Sequence, residues 1–146
     1  MGWLVVGWKN SEMKLISAWG MESILGVEVL SVDLGIQLSV INIYEPYLNR
    51  IPFWDSLFQN PLLEGDSVVV GGDFNFSLGQ SKVWGPNAHS DLLANFFIQK
   101  LVEKHLIDID PIKLKPMWRN NQGEAARVAK RLDCFLVAEQ LVDRFF

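Results

Sequence analysis

The chain has 146 residues, 13 of them Lys or Arg and 17 Asp or Glu, for a net charge of −4, with 49% hydrophobic and 21% charged residues. That balance excludes intrinsic disorder, and the length suits one domain, 1–146, burying about two thirds of its unfolded surface. The single cysteine, Cys134, excludes an internal disulfide and a cysteine-rich zinc site.

Taken in chain order, Trp3–Trp8 and Lys14–Trp19 read as short strands separated by the polar turn Lys9-Asn10-Ser11-Glu12. Ile24–Val32 is β-branched with partial alternation, and Gln37–Tyr44 alternates polar and apolar, the pattern of a strand with unequal faces. Pro46 ends it, because proline donates nothing to a ladder. Ile51–Gln59, with Asn49 as its cap, reads as a short helix ending before Pro61. Asp66–Gly72 reads as a buried strand running into two glycines, with Asp73 at its carboxyl end and a loop over 73–89. Ser90–His105 has the clearest helical pattern: Ser90 as N-cap, Asp91 in the first turn, and Leu93, Phe96, Phe97, Leu101 and Val102 on one face. Leu106–Ile109 and Leu114–Trp118 are predicted strands, Asn120–Gly123 a turn, Arg127–Val137 a returning strand, and Glu139–Phe145 the start of a helix. The prediction is a β-rich α/β chain with helices inserted between strands.

No apolar run approaches the roughly 18 residues of a membrane span. No charged head with a small-residue cleavage site opens the chain, and Met1–Val6 lacks the Ser or Thr of a myristoylation signal. The expectation is a soluble intracellular protein with no membrane partner. Charge is unevenly spread: residues 1–110 sum to −7 and residues 111–146 to +3, and Lys113–Arg131 holds six cations against the single acid Glu124. Such a run is either one edge facing phosphates or an ordinary solvated hairpin.

Three short motifs carry chemistry: Asn42-Ile43-Tyr44-Glu45-Pro46, Gly71-Gly72-Asp73-Phe74-Asn75 and Arg131-Leu132-Asp133-Cys134-Phe135-Leu136. Each has a plain reading. Gly-Gly-Asp at a strand end suits a turn with positive φ, Tyr44 suits a buried aromatic, and Asp133 suits an ion-pair partner of Arg131 or Lys130. The sharper reading starts from a carboxylate at the mouth of a buried strand, where reduced dielectric raises its basicity. An amide two residues on points the same way and holds a phosphate oxygen without adding negative charge. A tyrosine hydroxyl and a second carboxylate from neighbouring strand ends complete a polar cluster of a kind that usually needs Mg²⁺ to offset its repulsion.

In combination and order these motifs resemble the endonuclease/exonuclease/phosphatase superfamily, whose fold is a two-sheet α/β sandwich of the DNase I type. Within it they look most like the endonuclease domain of non-LTR (LINE-type) retrotransposons, especially plant ones. Those domains carry Asn-x-Tyr-x-Pro, then Gly-Gly-Asp-Phe-Asn, then an aromatic-Trp-x-Asn turn, present here as Pro116-Met117-Trp118-Arg119-Asn120-Asn121, then Arg-Leu-Asp-x-Phe-Leu-Val. Gly2–Lys9 is similar to their glycine-rich strand.

The resemblance implies that Asp73 is the base for the attacking water, that Asn75 and Tyr44 contact the scissile phosphate, and that Asp133 orients a catalytic histidine. It implies further that Trp118, flanked by Lys115 and Arg119, lies at the nucleic-acid surface, a core tryptophan being the plain alternative. Mg²⁺ is the implied cofactor and DNA the implied partner. A reverse transcriptase domain is expected downstream, in a nuclear or cytoplasmic setting.

The family's metal-binding Glu precedes the glycine-rich strand and its Ser-Asp-His strand follows the last motif. The expectation is therefore a fragment, with unpaired sheet edges and uncovered apolar surface. Neither His89, before a helix, nor His105, at a helix C-terminus, stands in the missing histidine's place. The leading expectation is an incomplete Mg²⁺-dependent DNA-nicking phosphodiesterase. Its rivals are a phosphomonoesterase of the same fold and a vestigial, non-catalytic interaction domain.

Overall fold

The computed structural model describes residues 4–86 and 88–145. Nine strands, β1 (Met13–Met21), β2 (Ile24–Ser31), β3 (Ile36–Tyr44), β4 (Val68–Asp73), β5 (Val83–Trp84), β6 (Leu106–Asp108), β7 (Trp118–Arg119), β8 (Ala129–Lys130) and β9 (Asp133–Ala138), form two sheets among the described residues. The larger runs β1-β2-β3-β4-β9-β6; the smaller, β5-β8-β7, is made of two-residue strands. β1 to β3 form an antiparallel meander, β4 joins β3 in parallel, and β9 and β6 follow antiparallel. The parallel pair needs a crossover, which α1 (Arg50–Phe58) and a short 3₁₀ turn supply.

Alternation along the central strands separates two faces. Ile41 and Ile43, Val68 and Val70, and Cys134, Leu136 and Ala138 are all buried and join one core with α1 and α2 (Ala94–Glu103). Trp54, Phe58, Phe74, Phe76 and Phe97 form its aromatic centre, with Trp54 and Phe97 edge to face at 4.6 Å. α3 (Glu139–Phe145) continues β9 and buries Leu141. The opposite face presents Val40, Asn42 and Tyr44 on β3, Val69, Gly71 and Asp73 on β4, and Asp133, Phe135 and Val137 on β9, all half-buried or exposed. Phe135 lies across Gly71 so closely that a Cβ there would meet its ring at 2.9 Å.

Several boundaries differ from expectation. Of the predicted strand Trp3–Trp8, residues 4–8 form no strand and Trp3 lies outside the described residues; Asn42 Nδ2 donates instead to the Val5 carbonyl at 3.1 Å. Asn49 stands at the N-cap of α1, but it is left-handed (φ 57°) and its side chain caps nothing. The helix predicted from Ser90 starts at Ala94, because the Asp91 carboxylate accepts from Leu93 N (3.0 Å) in a turn of its own, and it ends at Glu103 rather than His105. Leu114–Met117 is not strand. Asn120 closes the 120–128 loop, its side chain bonding the Ala126 carbonyl at 2.9 Å and Val128 N at 2.7 Å. The predicted strand Arg127–Val137 is two strands in two sheets, and the 73–89 loop contains β5 and a 3₁₀ turn. Buried Lys82 fastens the sheets together: its amine ion-pairs with Asp108 on β6 and with Asp110 (2.7 Å), while Arg131 N donates to its carbonyl.

Candidate functional site

The site begins with a glycine. At position 72 φ is 140°, and a Cβ would stand 2.0 Å from the Ile43 carbonyl oxygen, so β4 approaches β3 as only glycine permits. β4 then ends beside β3 with Asp73 paired to Tyr44, and on its other side Asp73 pairs with Asp133. Residues directly opposite one another in a sheet share a face. Tyr44, Asp73 and Asp133 thus form one row across three adjacent strand ends.

Asn75 is held beside that row. It takes the left-handed conformation (φ 52°), and its backbone N–H donates to Asp73 Oδ1 at 2.9 Å. Its side-chain amide donates to the Glu45 carbonyl at 2.6 Å, while Glu45 N donates to the Asp73 carbonyl at 2.9 Å. Phe74 N donates to the Leu132 carbonyl, joining the turn to the strand that carries Asp133. Phe74 and Phe76, on either side of Asn75, are wholly buried in the aromatic centre and anchor the turn.

Burial raises the Asp133 carboxyl above its ordinary value, the charge of Asp73 adds to this, and Arg131 opposes it. The two carboxylates therefore sense each other across one ladder step. At the Asp133 end of the row, a 470 Å³ hollow on the open face is bordered by Asn42, Gly71, Phe135, Asp133 and, from the small-sheet region, Met117 and Arg131. Trp118 is 44% exposed, which sets aside the core alternative, and Lys115 and Arg119 are exposed beside it. These three lie on and next to β7, outside the strand-end row.

Three neighbours gave weak sequence signals. Glu45 is 0% exposed: one carboxylate oxygen accepts from the Trp54 indole and the other from Arg50 Nε at 2.9 Å. Burial raises its pKa, against the pull of Trp54 and Arg50. A carboxylate so enclosed has no oxygen to offer a metal at the row. Arg50 also reaches the Asn75 carbonyl (3.5 Å), lies 3.8 Å from Asp91 and stands over the Phe76 ring. Tyr47 is 73% exposed, and the neighbouring Tyr44 phenol raises its pKa, with a smaller push from Asp73.

The remaining titratable groups lie elsewhere. His105 Nδ1 contacts Glu139 Oε2 at 3.3 Å, beyond the end of β9 opposite to Asp133. His89 lines a separate hollow with Arg50 and Asp91. Burial pushes the Cys134 thiol up to about 12, so it is inert. Mg²⁺ asks for about six oxygens around it. The described residues contain no group of three or more His, Cys, Asp or Glu able to hold a metal, so Asp73 and Asp133 alone do not complete such a site.

No family model and no curated protein matches the chain. Among solved structures it is similar to the endonuclease domain of TRAS1, a telomere-specific non-LTR retrotransposon, with TM-score 0.67 and 17% identity over 90% of this chain and 58% of that one. It is also similar to D. rerio TDP2 complexed with single strand DNA product, with TM-score 0.51 and 12% identity over 90% of this chain and 56% of that one. The chain spans a little over half the length of each. These likenesses show the fold: a DNase I-like arrangement of two sheets with helices.

Proposed function

We propose that this chain is the phosphate-handling part of a DNA-nicking phosphodiesterase of the retrotransposon endonuclease kind. The observation that carries this reading is the row Tyr44–Asp73–Asp133 with Asn75 hydrogen-bonded beside it. In this reading Asp73 is the base toward water, Asn75 and Tyr44 contact the scissile phosphate, and Asp133 is the second carboxylate. Lys115, Trp118 and Arg119 meet the nucleic acid from the small sheet. The similar structures, an endonuclease domain and a protein complexed with single strand DNA product, support DNA as the ligand. A retrotransposon setting, with a reverse transcriptase domain further along and a nuclear or cytoplasmic location, belongs to the same proposal. No helix among the described residues is long and apolar enough to cross a membrane.

A specific observation favours binding without turnover by this chain alone: the carboxylates among the described residues do not complete a Mg²⁺ site, and His105 contacts Glu139 rather than Asp133. Losing one transition-state donor commonly costs on the order of 10²–10³ in rate, and a metal ligand at least as much. The test is nicking of supercoiled plasmid in Mg²⁺, run beside a DNA-binding titration. The expected result is salt-sensitive binding with no nicking above an Asp73→Ala control. Absence of DNA binding refutes the reading. Mg²⁺-dependent nicking that requires Asp73 refutes the non-catalytic part.

A further inference from the structure

The small sheet borders a hollow of its own, about 390 Å³, walled by Trp84, Ala129, Arg119 and Arg127 among others. That volume lies at the low end of small-ligand pockets, room for one ring system and its substituents. Trp84 pairs with Ala129 and Ala129 pairs with Arg119, so the three form a row across β5, β8 and β7 and share a face. Trp118 and Lys130, opposite each other in the adjacent row, belong to the other face. The two outer strands stand two strand spacings apart, about 9–10 Å. A flat ring held on both faces needs about 7–8 Å, one van der Waals contact to each side. Ala129, buried and the smallest of the three, leaves a slot of that order between the two long side chains.

The walls of the slot are not used up by the fold. Trp84 is half-buried, lies outside the core cluster and makes no ring–ring contact among the described residues. Arg119 and Arg127 are exposed, and among the described residues neither makes an ion pair nor stacks on a ring. Arg127 is held against the end of β5 by a close backbone approach: Gly85 has φ 127°, and a Cβ there would stand 2.1 Å from the Arg127 carbonyl oxygen. Glu124 also borders the hollow and supplies acceptors only. An indole facing a guanidinium selects a flat ring, and a second arginine at the rim selects a ring that carries an anion; a nucleotide is both.

We infer that this slot holds one unpaired nucleotide of a DNA strand: its base lies between Trp84 and Arg119 over Ala129, its phosphate meets Arg127, and the N–H groups of its base edge face Glu124. The inference rests on the proposed reading of DNA as the ligand and adds to it a base subsite on the small sheet, apart from the strand-end row.

The test is fluorescence anisotropy with a short labelled deoxyadenosine strand and an abasic strand of the same length, on the full chain and on Trp84→Ala, Trp84→Phe, Arg119→Lys and Arg127→Gln. Urea midpoints check that each variant folds. Trp84→Ala is expected to weaken the deoxyadenosine strand roughly 5- to 150-fold, the range of one base stack, and to leave the abasic strand within about threefold. Trp84→Phe keeps a π-face and should recover most of that loss. Arg119→Lys keeps the charge and loses the plane, so it should weaken the deoxyadenosine strand more than the abasic one. Arg127→Gln is expected to weaken both strands and to flatten the slope of log affinity against log salt by about 0.7. Wild-type affinity of Trp84→Ala for deoxyadenosine overturns the slot while leaving the row's reading intact. Equal weakening of both strands by Trp84→Ala shows a structural effect and also overturns it. Free dAMP should not displace the strand at micromolar concentration; displacement there shows a pocket for a free nucleotide and overturns the assignment to a strand. Failure of wild type to bind either strand overturns the slot together with the reading beneath it.

Discussion

Position 72 admits no side chain, because a Cβ there would stand 2.0 Å from the Ile43 carbonyl oxygen. Gly72→Ala must either abandon φ 140° or push β3 and β4 apart, so it is expected to destabilise by about 2–4 kcal/mol in a urea titration. Asp133 behaves in the opposite sense. Its folded carboxyl is raised above 3.8, so the contribution of its proton is complete below about pH 3.8 and lost as pH rises through the folded value. Asn is neutral throughout. Asp133→Asn is therefore expected to have a higher urea midpoint than wild type at pH 7, the two converging near pH 3.8; a lower midpoint at pH 7 would show that the carboxylate is held by favourable contacts. Tyr44, Asp73, Asn75 and Asp133 were legible in the sequence because each sits in a short motif at the end of an apolar run. Glu45 and Arg50 were not, since their pairing depends on a reversal around Pro46 that brings the Glu45 carboxylate against the following helix, and periodicity carries no trace of that.

Among the elements, legibility followed how far a pattern depends on its own segment. β2, β3, β4 and α3 fell close to where alternation and apolar runs placed them. The start of α2 did not, because Asp91 uses its side chain on a local turn that competes with the helix, a choice Ser, Asp and Asn make readily. The stretch 127–137 reads as one strand by composition, yet it changes sheets after Lys130, where Arg131 N pairs with the buried Lys82 carbonyl; only the partners of a strand reveal such a switch. α2 is held by Phe97, wholly buried against Trp54, Phe58, Phe74 and Phe76. Phe97→Ala is expected to destabilise by about 3–5 kcal/mol in urea, and Phe97→Leu by clearly less. Because Phe74 and Phe76 belong to the same cluster, the alanine variant should also loosen the turn that carries Asn75, seen as faster amide exchange at residues 73–76.

Across the whole molecule, charge and apolar surface are sorted. The cations of the 113–131 segment gather on and around the small sheet, while the body of the chain is acidic. The chain is accordingly expected to be retained on heparin at low salt in spite of its net −4, and Lys115→Glu combined with Arg127→Glu to elute with the flow-through; retention unchanged by the double variant would place the anion-binding surface elsewhere. The central strands raise a different matter, one of timing. β4 is flanked by β3, which precedes it closely, and by β9, whose Val137 pairs with Val69. Closing so long a loop carries a large entropic cost before any ladder bond repays it. During synthesis at about 5–20 residues per second, β4 therefore waits some seconds with one edge unpaired, a stretch of valines open to any strand that passes. The row of Tyr44, Asp73 and Asp133 is thus among the last features the chain acquires: a ribosome stalled before residue 133 would carry a nascent polypeptide with half its carboxylate pair and a strand edge for chaperones to guard.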